Sequence, residues 1–219
     1  MTGTRFACSW SGGKDSCLAL HLMAAAGAQP AALLTVFDDA GERSRSHGLA
    51  PSILQAQAKS LDLPLHTARA SWQDYEREFL AALHRLAADG VRDVVFGDID
   101  LDEHRAWEER VCAAAGVTAH LPLWRAKRRE VLDELWRSGH RCHVVAVDAQ
   151  KLGRDVLGQE LTPELADRLE SLGVDACGEN GEFHTVVYDG PRFRYPLRLR
   201  FGEVVENGGY LAIDCACEP

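Results

Sequence analysis

Surplus basic charge, paired cysteines and long apolar runs are all missing from this 219-residue sequence. Lys and Arg number 24 against 33 Asp and Glu, for a formal net charge of −9 at pH 7. A surface of that sign repels a phosphate backbone, which argues against nucleic acid as a partner except through a local groove. The densest basic run, Arg125 to Arg129, opens an apparent helix and reads as a solvated face. Seven cysteines, at Cys8, Cys17, Cys112, Cys142, Cys177, Cys215 and Cys217, are odd in number and scattered. That pattern excludes a disulfide scaffold and fits a reducing cytosol. No apolar stretch approaches the roughly 20 residues that cross a bilayer, and no charged start with an apolar stretch of signal length precedes the first strand-like run. The expectation is a soluble, cytoplasmic protein without membrane contact, for which a homodimer is the default assembly.

What is present is an ordinary globular composition, 46% hydrophobic and 26% charged, long enough for one α/β domain with a smaller appendage. Strand-length apolar runs at Arg5–Ser9, Ala31–Phe37, Leu65–Ala70, Val91–Phe96 and Cys142–Val147 alternate with helical stretches at Lys14–Ala26, Pro51–Leu61, Gln73–Ala88, Glu103–Ala115 and Lys127–Ser138. Such alternation predicts repeated βα units: a twisted, mostly parallel, Rossmann-like sheet with helices on both faces. Tyr75, Phe79, Leu83 and Leu86 recur at spacings of three and four, an apolar stripe to lay on that sheet. Gly27, Gly90, Gly116, Gly139 and Gly173 each follow a helical pattern where a left-handed cap is wanted. Thr162-Pro163-Glu164 opens a further short helix to Leu172. Beyond Gly173 only short strands are predicted, around His184–Tyr188, Arg194–Phe201 and Tyr210–Cys215. Residues 1–122 are expected to form the main α/β domain and 123–219 a smaller α+β region packed on it.

The most informative segment is Ser11-Gly12-Gly13-Lys14-Asp15-Ser16, set between the first strand and the first helix. Two glycines let the backbone turn tightly against a phosphate, and the open N–H groups and dipole of the new helix supply an anion site. Lys14, Ser11 and Ser16 add side-chain donors. A Walker loop is excluded because the residue five before Gly13 is Cys8 and Lys14 is followed by Asp15. A dinucleotide fingerprint is excluded because Gly12 and Gly13 are adjacent, with no third glycine in register.

The segment resembles the Ser-Gly-Gly-x-Asp-Ser loop of the PP-loop ATP pyrophosphatases, which cleave ATP to AMP and pyrophosphate. A second segment, Cys177-Gly178-Glu179-Asn180-Gly181-Glu182-Phe183-His184-Thr185, resembles the signature of the diphthine–ammonia ligase family within that group. Phe96-Gly97-Asp98-Ile99 followed by Glu103-His104-Arg105 and Trp107, and Pro122-Leu123-Trp124, are similar to two further family segments. The central motif departs from the Gly-Ala-Ile and Gln-Arg spelling of the archaeal and eukaryotic ligases.

The resemblance implies a reaction. A carboxylate acceptor, diphthine on a protein or an unknown small molecule, is adenylated by ATP, and ammonia then displaces AMP to give an amide. It also implies roles. Ser11, Gly12, Gly13, Lys14 and Ser16 hold the departing pyrophosphate, with His47, Gly97 and Asp98 around the nucleotide. Lys14 and Asp15 serve catalysis, and Asp15 and Asp98 are the candidate Mg²⁺ ligands, since that ion rides on phosphates with one or two carboxylates. His104, Arg105, Glu179, Asn180, Gly181 and Glu182 face the acceptor, and either Glu182 or His184 deprotonates ammonium. Two other readings compete: a PP-loop enzyme adenylating a tRNA base, which the acidic balance disfavours, and a non-catalytic adenine-nucleotide-binding module.

Overall fold

The computed structural model describes residues 3–218, and its architecture follows from two sheets of different character. Five parallel strands, β1 (Arg5–Ser9), β2 (Gln29–Phe37), β3 (Leu65–Arg69), β4 (Asp93–Val95) and β5 (Thr118–His120), lie in the order β3-β2-β1-β4-β5. The order reverses at β1, which pairs with β2 on one side and β4 on the other. In an open parallel sheet the crevice for a ligand lies beyond the strand ends at that reversal. The loops after β1 and β4 are the two segments already singled out by their spelling.

Helices α1 (Lys14–Ala25), α2 (Pro51–Leu61), α3 (Tyr75–Ala88) and α4 (Asp102–Ala114) connect these strands. Helices α3 and α4 cover one face, where Phe79, Leu83 and Leu86 are buried with Val94 and Val111. Burying Phe79 alone contributes about 2 kcal/mol. Tyr75, at the head of the expected stripe, is only half-buried because it stands at a cavity wall. All five glycines expected to end helices have positive φ, from 72° at Gly116 to 94° at Gly27.

On the opposite face α1 and α2 share one continuous core with the second sheet, in which Leu18, Ile53, Val144 and Val187 are fully buried together. That sheet is antiparallel, in the order β7-β6-β9-β8, from β6 (Arg141–Asp148), β7 (Phe183–Asp189), β8 (Leu199–Asn207) and β9 (Tyr210–Cys217). Helices α5 (Arg128–Arg137) and α6 (Pro163–Ser171) precede β6 and β7, and the Thr162 hydroxyl caps α6 by accepting from Leu165 N. Two expectations are corrected here. Cys142–Val147, grouped with the alternating strands, belongs to the antiparallel sheet. The Arg194–Phe201 strand begins only at Leu199 and runs to Asn207, since Pro196 has no N–H for a ladder. The three-residue β5 was not anticipated. In the basic run Arg125 and Lys127 are exposed, as a solvated face requires, whereas Arg128 forks onto Asp100 at 2.8 Å and Asp175 at 2.6 Å, and Arg129 meets Asp167 at 2.8 Å. All seven cysteines are free thiols. Among the described residues no helix is long and apolar enough to cross a membrane.

Candidate active site

The loop after β1 is locked from three sides. Gly12, at φ 82°, packs its Cα face against Leu49, Leu54 and Gln57, where a Cβ would come within 2.7–2.8 Å. The buried Gln57 amide donates to Gly12 O at 2.9 Å and Val187 O at 2.7 Å, and its own oxygen accepts from the Trp10 indole at 2.9 Å. Val187 N also donates to Gly12 O, at 2.9 Å. Lys14 N donates to the Thr185 hydroxyl at 3.1 Å, so β7 fixes the start of α1. Gln57 and Trp10 escaped the sequence reading, because a glutamine inside an amphipathic helix carries the signature of a surface residue.

Within the loop the Ser11 and Ser16 hydroxyls lie 3.0 Å apart, Gly13 N donates to Ser11 Oγ at 3.2 Å, and Ser16 Oγ reaches Gly13 O at 3.2 Å. The Asp15 and Ser16 amides, in the first turn of α1, have no acceptor four residues back within the helix. Gly97, after β4, lies directly on this turn. A Cβ there would stand 2.7 Å from Asp15 C and from Ser16 N, backbone that cannot move aside. Glycine is thus demanded by the close approach of the two strand ends.

Two adjoining cavities open from this turn. The larger, about 700 Å³, runs from Ser11, Asp15 and Ser16 past Gly97 and Asp98 to Leu34, Thr35 and an aromatic wall. Trp72, Tyr75, Phe79 and Trp107 form that wall with ring centroids 5.2–6.0 Å apart. The Arg45 guanidinium lies over Trp72 at 5.2 Å. The smaller, about 500 Å³, is lined by Lys14, Asp15, His47, His104, Glu179, Asn180, Phe183 and His184.

Charge is unevenly spread around them. The Lys14 ammonium is buried 2.6 Å from Asp15 Oδ2; burial alone would depress its pKa, but the carboxylate holds it above the ordinary lysine value. Burial pushes the Asp15 carboxyl up in spite of Lys14, and its Oδ1 is buried without a partner. Burial pushes Asp98 up, but it accepts from His104 Nδ1 at 2.7 Å, and hydrogen bonds from His104 and Glu108 together hold it below the usual carboxylate range. Glu108 lies beside this pair, and burial with the Asp98 charge pushes it up to about 11, a neutral acid at physiological pH. It sits in a helix so rich in ions that nothing in the sequence marked it as internal.

The second signature segment is equally braced. Asp175 accepts from Cys177 N at 3.0 Å and Glu179 N at 3.2 Å while bound to Arg128, and Glu179 Oε1 accepts from Ile99 N at 2.9 Å. Gly178 and Gly181 turn the chain at φ 68° and 78°, and the Tyr210 hydroxyl donates to Gly181 O at 2.8 Å. His47 donates from Nδ1 to Thr185 O at 2.8 Å and lies 4.7 Å from the His184 ring, which in turn stacks on Tyr210. Burial lowers His47 to about 3 and His184 to about 4, so both rings are neutral at physiological pH.

Of the expected site residues, the structure gathers Ser11, Lys14, Asp15, Ser16, His47, Gly97, Asp98, His104, Glu179, Asn180, Gly181 and His184 around the two cavities. Three expectations change. Arg105 lines neither; it pairs with Glu109 at 2.6 Å and lies over Trp124. Glu182 also lines neither, being buried beneath its loop, where it accepts from Asn180 N at 3.0 Å and meets Lys151 at 3.3 Å. Glu182→Ala is accordingly expected to lower the unfolding free energy by about 1–3 kcal/mol. Chemical denaturation checks this, and a variant as stable as the parent would return Glu182 to the chemistry. The third change concerns magnesium. Among the described residues no three His, Cys, Asp or Glu side chains converge on one point, Asp98 is committed to His104, and Asp15 offers one free oxygen. These residues do not fit a protein-held metal ion.

Comparison with known proteins adds an independent line. Residues 4–119 match the family model of the diphthamide synthase N-terminal domain and residues 127–218 that of its C-terminal domain. The diphthine–ammonia ligase of Schizosaccharomyces pombe is 29% identical over 224 residues, covering 90% of this chain and 36% of that protein. The chain thus spans about a third of the length of that relative. The diphthine–ammonia ligases of Bos taurus and Homo sapiens are each 28% identical, covering 93% and 92% of this chain and 85% of theirs. A solved structure, described as a predicted subunit of tRNA methyltransferase from Methanocaldococcus jannaschii, superposes with a TM-score of 0.43 at 16% identity over 84% of this chain and 96% of that one, too loosely to bear on the argument.

Proposed function

The chain belongs to the diphthamide synthase family, and from that premise we propose that it adenylates a carboxylate with ATP, releases pyrophosphate, and converts the acyl-adenylate to an amide with ammonia. The observation that carries the reading is the first turn of α1: open amides and the paired Ser11 and Ser16 hydroxyls at a cavity wall, at the reversal point of a parallel sheet. A carboxylate resists amidation because its leaving group would be oxide. Adenylation supplies AMP instead, and the enzyme's task is to stabilise charge gathering on pyrophosphate. The turn holds that charge, and the wall of Trp72, Tyr75 and Trp107 takes the adenosine side. Magnesium arrives with ATP, ligated by its phosphates, as part of the substrate. Lys14 acts through Asp15, its only ion-pair partner among the described residues, and not directly on phosphate. The acceptor enters on the side of His47, His104 and His184, and is the diphthine side chain of a protein, as the names of the relatives imply for them. Seven free thiols fit work in a reducing cytosol.

The test is stoichiometry. With ATP, ammonium and a diphthine-bearing protein, AMP, pyrophosphate and amide are expected in equal amounts, followed by chromatography and mass spectrometry. ADP as the nucleotide product would overturn the reading, since the turn would then be serving the terminal phosphate alone.

A further inference from the structure

We infer that Glu179 binds ammonium and takes its proton as the amide forms, an assignment that rests on the ligase reading above. Glu179 stands at the junction of the two cavities, lining both. Its Oε1 is fixed by Ile99 N at 2.9 Å, and its backbone by Asp175 and, behind that, Arg128. Among the described residues its Oε2 accepts no hydrogen bond, so one oxygen is anchored and one is free.

The surroundings select a small cation. Asp15 lines the same 500 Å³ cavity, whose walls include the apolar Leu101 and Phe183. The titratable groups facing Glu179 are Lys14 and Asp15 on α1, Asp98 before α4, His104 and the neutral acid Glu108 on α4, and Asp175 beneath its own loop. Lys14 is already spent on Asp15 and His104 on Asp98, which leaves Glu179 without a matching cation among the described residues. Ammonium supplies that cation, and its small size suits a cleft that continues directly to the first turn of α1.

The alternatives for the proton fail on placement. Glu182 is buried under the loop, and burial has driven His184 and His47 too low to accept a proton from ammonium. Glu179 is pushed the other way, up to about 7, chiefly by burial with Asp15 and Asp98 nearby. A base is most effective when its pKa lies near the working pH. In the step itself, one N–H bond of ammonium breaks and its proton goes to Glu179 Oε2. The freed electron pair forms the C–N bond as the carbonyl C–O bond to AMP breaks, and the nitrogen's second excess proton leaves to solvent.

Hydroxylamine separates proton removal from every other role, because it is already largely neutral at pH 7 and attacks an acyl-adenylate to give a hydroxamate. Glu179→Gln keeps an oxygen for Ile99 N. With a diphthine-bearing protein and ATP, it is expected to form amide from ammonium about 100-fold more slowly than the parent, yet to form hydroxamate within about threefold of the parent rate. Equal amide rates would overturn the inference, as would an equal loss with both nucleophiles, which would make Glu179 a binding residue. Failure of the parent with both nucleophiles would instead sink the ligase reading, and this inference with it. A measurement free of any acceptor is the carboxyl ¹³C signal that disappears in Glu179→Gln. Its midpoint in the parent is expected near neutrality, and titration in the ordinary carboxylate range would also overturn the assignment.

Discussion

Gly13→Val is expected to slow ATP cleavage by about 100-fold or more, because the turn proposed to hold pyrophosphate would be displaced by an ångström or so. The reason is space and not backbone freedom. Gly13 has φ −94° and ψ 179°, a conformation any residue adopts. A Cβ at this position, however, would stand 2.1 Å from His47 Cε1 and 2.6 Å from Nδ1. The His47 ring is not a flexible end that swings away. It is packed on His184 at 4.7 Å and tied to Thr185 O at 2.8 Å, and Thr185 also holds Lys14 N. Any side chain at Gly13 must therefore push His47 off β7 or lift the loop off it. AMP release and thermal unfolding measured together check the prediction. Turnover within threefold of the parent would remove the loop from the mechanism. Adding His47→Ala to the Gly13→Val variant is expected to raise its unfolding midpoint, since the three atoms nearest a Cβ there all belong to that ring.

This clash also marks the boundary of what the sequence makes legible. The loop itself is plain, since adjacent glycines with Lys, Asp and two serines between a strand and a helix have few other uses. The helix ends are equally plain, because a glycine after a periodic run has one mechanical purpose. What could not be read is pairing at a distance. The β6 run spells the same apolar strand as β1, and only its partners, β7 and β9, make it antiparallel. Gln57 and Glu108 look like surface residues because periodicity averages over a helix, whereas both are buried, Gln57 against the glycine loop after β1 and Glu108 beside Asp98. Glu179 and Glu182 stand three apart in a segment turned by two glycines of positive φ, where no period indicates which carboxylate faces the cavity. The family signature placed both at the site, and only the fold turns Glu182 under and leaves Glu179 open.

Lys14→Ala carries the second large effect, and its pH dependence distinguishes two roles for that lysine. The loop's position suggests a phosphate ligand, but the ammonium lies 2.6 Å from Asp15 Oδ2, with side-chain exposures of 5% and 21%. Removing one member of such a pair strands the other, so a loss of about 3–5 kcal/mol in unfolding free energy is expected at neutral pH. The sign with pH follows from linkage. Burial already holds the folded-state Asp15 pKa above its unfolded value, and loss of Lys14 raises it further. A carboxyl shifted in that direction binds more protons when folded, so stability falls as pH rises from the unfolded pKa through the folded one. The gap between Lys14→Ala and the parent should be smallest in acid, where Asp15 is neutral in both, and widen toward neutrality. Asp15→Asn added to Lys14→Ala is expected to recover most of the stability, because no buried charge then remains, but not ATP cleavage, because the oriented carboxylate is gone. Urea melts across pH, run as a double-mutant cycle, measure both effects. A deficit independent of pH, with no recovery from Asp15→Asn, would mean that Lys14 does not work through Asp15, and would return it to the phosphates as a direct ligand.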